Sequence, residues 1–288
     1  MDEDYMLEIK HSLNFLPLNW IGWIIYFLIP EKRSIAQKNI ARVFGDTLSP
    51  QEKKRIVVAY YSHLFLCFKE IFLLPFLGKT RLEKRVKIIG EEHLHQALQK
   101  NKGAIILSGH FGNWEFAPLF ILDKLKNEVG HAYCVRKSLR FNFLNDFFWG
   151  RFEKAGYKII NKNNALGQIR LILEKKNVVF VPFDIKPSRR SRSSVKVNFL
   201  GRLSNTYTSV AYLANKFECP VLSVRSYRVN KKKHIVEFYP EIQRDVYKDK
   251  EQAYLEDTKK YNHRLEEMLL ASPEQWLWSY KRWYSKEQ

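Results

Sequence analysis

AIILSG at residues 104–109 runs straight into His110 of HFGNWE (110–115), and this junction decides how the chain is read. A short β-rich apolar run that meets a turn and then an Asn-led segment reads as a strand feeding a helix. Gly109 and Gly112 flank the turn and admit backbone angles that other residues avoid. Asn113 is a good helix N-cap and would place Glu115 in the first helical turn. Outward in both directions the alternation recurs. Other β-rich runs stand at VKII (86–89), HAYCV (131–135), YKII (157–160), VVFVPF (178–183) and VLSVRSYR (221–228). Helix-length segments at 91–100, 113–126, 141–155, 164–176 and 205–217 lie between most of them. This pattern predicts an α/β fold with a central, largely parallel sheet flanked by helices. In such sheets ligands gather outside the carboxyl ends of the strands. His110 falls there.

Toward the N-terminus, residues 33–80 read as helical, and the run LFLCFKEIFLLPFLG (64–78) carries only Lys69 and Glu70 as charges. Residues 12–30, SLNFLPLNWIGWIIYFLIP, carry no charged side chain. That length reaches the ~20 residues needed to span a bilayer, although Asn14, Pro17 and Asn19 weaken the match. Bases follow at Lys32, Arg33, Lys38 and Arg42, which by the positive-inside rule leaves the body of the protein in the cytosol. A buried N-terminal helix is the alternative reading.

The 288 residues hold 49 Lys plus Arg against 30 Asp plus Glu, an excess of +19, so an anionic partner is expected. Nucleic acid, an anionic bilayer, a phosphorylated lipid and an acidic carrier protein all satisfy that. A basic nucleic-acid-binding protein is therefore a competing reading, but no recognised binding module is present and the apolar N-terminal segment has no role in it. Cys67, Cys134 and Cys219 are scattered without a CxxC pair, which excludes a disulfide framework and a zinc site of the usual spacing. No metal and no cofactor are expected.

His110 and Glu115 are the candidate catalytic residues. An imidazole accepts a proton near neutral pH, and a carboxylate on its other nitrogen fixes the tautomer. Such a pair activates a hydroxyl for attack on an activated acyl group. Ser108 lies in no G-x-S-x-G segment and HExxH is absent. A His–Glu pair that merely closes a strand-to-helix turn fits the spacing equally well. Asp184 shares the carboxyl-end rim, and Arg136, after HAYCV, is a rim candidate for holding a phosphate. Arg151, amid Phe147, Phe148, Trp149 and Phe152, also fits a side chain snorkelling from an apolar helix face. The stretch from Asp184 to Arg202 carries Lys186, Arg189, Arg190, Arg192, Lys196 and Arg202 against one acid. Arg189, Arg190 and Arg192 are candidates for binding an anionic substrate group, with a solvated loop as the alternative.

HFGNWE resembles the His-x4-acid motif of the glycerolipid acyltransferases and, in this wording, of the lipid A late acyltransferases. IIGEEHLHQAL (88–98), RSSVKVNFLGRLSNTYTSVAYLA (192–214) and PEQWLWSYKRW (273–283) resemble further blocks of that family, so the likeness covers most of the chain. It implies a glycerolipid-acyltransferase-like fold with N-terminal membrane-associated helices, divided as an anchor segment at 1–32 and an acyltransferase domain at 33–288. The implied reaction is direct transfer of a fatty acyl group from an acyl carrier protein thioester to a hydroxyl of a phosphorylated glucosamine lipid precursor. The implied place is the cytoplasmic face of a bacterial inner membrane, with the membrane surface as a partner and no nucleic acid. Another glycolipid or a glycerolipid is the alternative acceptor. Arg151 and Asp184 match positions the family uses. On this reading Glu115 orients His110, helix-start amides at Asn113 or the Arg151 side chain stabilise the oxyanion, and Asp184 positions Arg151 or the acceptor. The run Asp184-Ile185-Lys186-Pro187 and the pair Tyr280-Lys281 depart from the family's usual wording.

Overall fold

The computed structural model describes residues 13, 16–76, 83–122, 131–187, 191 and 193–283. Its strands are β1 (Val86–Ile89), β2 (Ala104–Ser108), β3 (Ala132–Arg136), β4 (Tyr157–Asn161), β5 (Val178–Pro182), β6 (Ser194–Phe199), β7 (Arg202–Tyr207), β8 (Val221–Arg228) and β9 (His234–Phe238). Seven of them form one sheet in the order β1-β9-β8-β2-β5-β3-β4. Every pair of neighbours in it is parallel except β8 and β9. Parallel strands need covering on both faces, which is why AIIL of β2 is apolar at every position and wholly buried. Side chains alternate between the faces. Ile105, Leu107 and Val179 join one core cluster, while Ala104, Ile106, Val178 and Phe180 join the other.

The helices are α1 (Trp20–Leu28), α2 (Pro30–Phe44), α3 (Pro50–Leu73), α4 (Glu91–Gln99), α5 (Asn142–Lys154), α6 (Ala165–Glu174), α7 (Ser209–Phe217) and α8 (Lys250–Leu270). α3 starts on a full capping box: Ser49 Oγ accepts from the Glu52 N–H and the Glu52 carboxylate from the Ser49 N–H. α1 lies antiparallel along it. The Asn19 N–H donates to Ser62 Oγ (3.1 Å), and Lys54 Nζ stands 5.2 Å over the Trp23 ring. Gly22 permits the approach, since a Cβ there would strike Ser62 Oγ and the Val58 carbonyl. At nine residues α1 is roughly 13 Å long, less than half of a bilayer's hydrocarbon core. Among the described residues, the one helix long and apolar enough to cross is α3, and 61% of its apolar window is buried inside the protein.

Three expectations change. The 113–126 helix is represented by a 3₁₀ turn at Ala117–Phe120, with residues 123–130 outside the described part. Residues 205–217 are not one helix: β7 runs to Tyr207 and α7 begins at Ser209. β6 and β7 form a hairpin whose two-residue turn puts Leu200 and Gly201 at φ of 53° and 72°, the twist that tight hairpins favour. β9 was not expected either, because Lys231 to Lys233 mask the alternation of HIVEF.

Candidate active site

β2 and β5 are hydrogen-bonded neighbours with Ser108 opposite Pro182. Two residues beyond each strand end, His110 and Asp184 therefore stand side by side. The His110 N–H donates to Asp184 Oδ2 (2.9 Å), and Nδ1 of its ring donates to Oδ1 (3.0 Å). A carboxylate only accepts, so this contact places the proton on Nδ1 and leaves Nε2 with its lone pair. Burial alone would depress the imidazole, but the charge and hydrogen bond of Asp184 outweigh it and raise the pKa above the ordinary histidine value. Burial would likewise raise Asp184, yet His110 and the Trp276 indole N–H (2.9 Å) hold it below the usual carboxylate range.

Glu115 is not the imidazole's partner, contrary to the sequence expectation. Its Oε1 accepts from Arg136 Nη2 (2.6 Å), and its Oε2 stands 3.8 Å from Arg151 Nη2. Two permanent cations compete for a carboxylate better than an imidazole already held by Asp184. Arg151 stands behind Glu115. Its Nε donates to the Phe147 carbonyl (2.9 Å), its guanidinium covers the Phe147 and Phe148 rings, and it does not line the cavity described below. Its place behind Glu115 differs from the expected position at the oxyanion. The expected link between Asp184 and Arg151 is replaced by the one to His110. Asn113 does not cap a helix: it is buried, and its Nδ2 donates to Glu70 Oε2 (2.8 Å) and the Cys67 carbonyl (3.4 Å). Arg189, Arg190 and Arg192 lie outside the described residues.

Gly112, at φ of 54°, leaves no room for a Cβ against the Ser226 carbonyl, so the turn sits directly on β8. Beneath it lies a buried polar cluster that sequence reading missed. The Glu70 carboxylate accepts from Arg228 at 2.8 and 2.6 Å and from His234 Nε2 at 3.0 Å, besides Asn113. Burial opposes that charge, but the donors hold Glu70 down at about 2. The sequence signal is faint: Glu70 is one of two charges in the apolar run 64–78, on the face of His63 and Cys67. His63 Nε2 and Cys67 Sγ are 3.2 Å apart, and burial keeps both neutral, His63 at about 3 and Cys67 at about 12. That thiol is no nucleophile.

A cavity of about 960 Å³ opens over the histidine. His110, Glu115 and Arg136 line it together with Leu64, Phe68 and Ile71 of α3, Phe148 and Phe152 of α5, and Ile169 of α6. A mostly apolar chamber with an imidazole and a few charged groups in its wall has the character of a site for a long apolar chain.

The family model described as bacterial lipid A biosynthesis acyltransferase matches residues 11–285. The chain belongs to that family. Among curated proteins it is similar to a phosphatidylinositol mannoside acyltransferase of Mycolicibacterium smegmatis, 25% identical over 181 residues, or 62% of this chain and 57% of the relative. A protein of the same description from Mycobacterium tuberculosis is 25% identical over 126 residues, 43% of this chain and 38% of the relative. The chain thus spans little more than half the length of the first of these relatives. Among the described residues of this lipid A biosynthesis acyltransferase family member, no group of three or more His, Cys, Asp or Glu stands ready for a metal.

Proposed function

We propose that this chain transfers a fatty acyl group from a thioester donor directly to a hydroxyl of a phosphorylated glycolipid, with His110 as general base. The observation that carries the reading is the Asp184 carboxylate on Nδ1 of an imidazole that lines an apolar cavity. Nε2 takes the hydroxyl proton, Asp184 stabilises the imidazolium, and the alkoxide attacks the thioester carbonyl. Collapse of the tetrahedral adduct expels the thiolate, which recovers the proton. Arg136, held by Glu115 at the cavity wall, supplies a fixed positive charge for a phosphate or the developing oxyanion.

The family's description supports a lipid A precursor as acceptor, and the mycobacterial relatives' description supports another glycolipid. We take the lipid A precursor as the first reading, acyl carrier protein as the donor, and the cytoplasmic face of the inner membrane as the place. Arg189, Arg190 and Arg192 are proposed to meet the anionic part of one substrate. Reversing Arg189 and Arg190 to Glu should raise KM for that substrate far more than it lowers kcat. The test of the whole reading is mass spectrometry of total glycolipids from cells with and without the gene, complemented by the parent or by His110→Ala. One acyl mass should vanish and return only with the parent. A full return with His110→Ala removes the histidine from the reaction.

A further inference from the structure

The segment after α8 turns back under the catalytic loop as a 3₁₀ turn (Pro273–Gln275) and ends on the buried Trp276. It is tied to that loop at successive residues. Phe111 and Trp276 pair as an isolated antiparallel bridge, and the Gly112 N–H donates to the Gln275 carbonyl (3.0 Å). The Gln275 side chain is fixed in turn, accepting from the Arg228 N–H (2.7 Å) and donating to its carbonyl (3.0 Å). From this anchored frame the Trp276 indole N–H donates to Asp184 Oδ2 at 2.9 Å, the oxygen that also accepts the His110 N–H.

We propose that Trp276 is a positioning residue for the proton-transfer step, acting through Asp184 to set the orientation and basicity of His110. The inference rests on the general-base reading above. An N–H donor on Oδ2 does two things. It fixes the plane of the carboxylate so that Oδ1 stays on Nδ1 of the imidazole, and it neutralises part of the charge that would otherwise stabilise the imidazolium. The indole thus holds the base in line and keeps it from becoming too basic to return its proton. The other charges facing the pair are Glu115, which favours the imidazolium, and Arg136, which opposes it. Tyr280 lies within electrostatic reach of Asp184, and its hydroxyl accepts the Lys186 N–H (3.2 Å). Trp276→Phe touches none of these. It keeps an aromatic ring beside Trp278, whose centroid is 4.9 Å away, and removes the indole donor together with part of the buried ring volume, so a titration and a pH profile, not stability, read its effect on the base.

The experiment uses the full-length protein and two readouts. Titration of ¹⁵N-histidine resonances, with His110 assigned by its loss in His110→Ala, should give a pKa raised by about half a unit or more in Trp276→Phe. Steady-state thiol release from palmitoyl acyl carrier protein, with detergent-dispersed phosphorylated glycolipid as acceptor, should show kcat reduced on the order of tenfold and KM unchanged. The acid limb of the rate profile should move to higher pH in step. In the parent protein the Trp276 indole ¹⁵N–¹H resonance should titrate with His110, because one carboxylate serves both, and this measurement stands even where the variant does not fold. A parent-like His110 titration in Trp276→Phe, or an indole resonance indifferent to it, overturns the proposal. A His110→Ala protein with parent activity overturns the general-base reading instead, so the two failures are distinguishable.

Discussion

At the residue scale, Asp184 and Glu115 carry the same charge within one site and are expected to fail differently when neutralised. Asp184→Asn removes the group that fixes the tautomer, so kcat should fall on the order of 10²–10⁴. Its acid limb should also move to lower pH, because the imidazolium loses its counter-charge. Glu115→Gln leaves Arg136 and Arg151 facing each other without an anion in a mostly buried place. Its first symptom should be lost stability, toward the lower end of the ~3–5 kcal/mol that breaking a buried ion pair costs, read by denaturant unfolding. In the parent, the rate should rise with pH through a His110 pKa above the ordinary 6.5, since only the neutral imidazole accepts a proton. A half-maximal rate well below 6.5 contradicts the Asp184 contact. The sequence offers His110, Glu115, Arg136, Arg151 and Asp184 as candidates, but it pairs His110 with its neighbour Glu115 and Asp184 with Arg151 or the acceptor. The actual partner is 74 residues away and was hidden because β2–β5 adjacency is a property of the sheet, which no local pattern encodes.

At the element scale, α3 is more than a core helix: its His63, Cys67 and Glu70 face hold the floor of the catalytic loop. His63 is buried and neutral, with a pKa lowered to about 3. The unfolded chain binds this proton from about pH 6.5 downward while the folded protein does not. His63 therefore subtracts stability as pH falls, by about 1.4 kcal/mol per unit, until its folded pKa is reached. Replacing it with Gln removes that slope. Relative to the parent, His63→Gln should gain stability steadily between pH 6.5 and 4.5 in denaturant unfolding, whatever its offset at pH 7.5. A difference between the two proteins that is flat with pH means that His63 is not buried neutral. The strands of the parallel sheet were legible because unbroken apolar runs between turn residues have few alternatives. The β6–β7 hairpin was not, because Leu200 occupies a left-handed position usually marked by Gly or Asn.

At the scale of the whole molecule, the apolar cavity beside His110 and the exposed apolar side of α3 meet in one residue. Phe68 lines the cavity and is also half exposed on α3. Beyond it α3 presents Phe72 and ends near Phe76, which is 82% exposed, while the antiparallel α1 presents Trp20, Phe27 and Leu28 to solvent. Scattered apolar side chains on a surface are ordinary, but large exposed rings following Phe68 along α3, next to the wall of an apolar cavity, suit contact with a lipid surface. Aromatic rings suit the headgroup level of a bilayer, and the +19 charge favours an anionic one. The protein is expected to sediment with phosphatidylglycerol vesicles more than with phosphatidylcholine vesicles. Raising salt from 0.1 to 1 M shortens the screening length from ~10 to ~3 Å and should remove the difference between the two. What survives in high salt should be the aromatic contribution. The combined substitutions Trp20→Ser, Phe72→Ser and Phe76→Ser should weaken it on the order of tenfold or more, given the ~1.5–3 kcal/mol that burying one large apolar side chain contributes. Thiol release from a donor in detergent should change little in the same variant, because its base and cavity wall are intact. Equal vesicle binding by variant and parent in high salt means that the aromatic face does not meet the bilayer, and that charge alone brings the enzyme to its lipid.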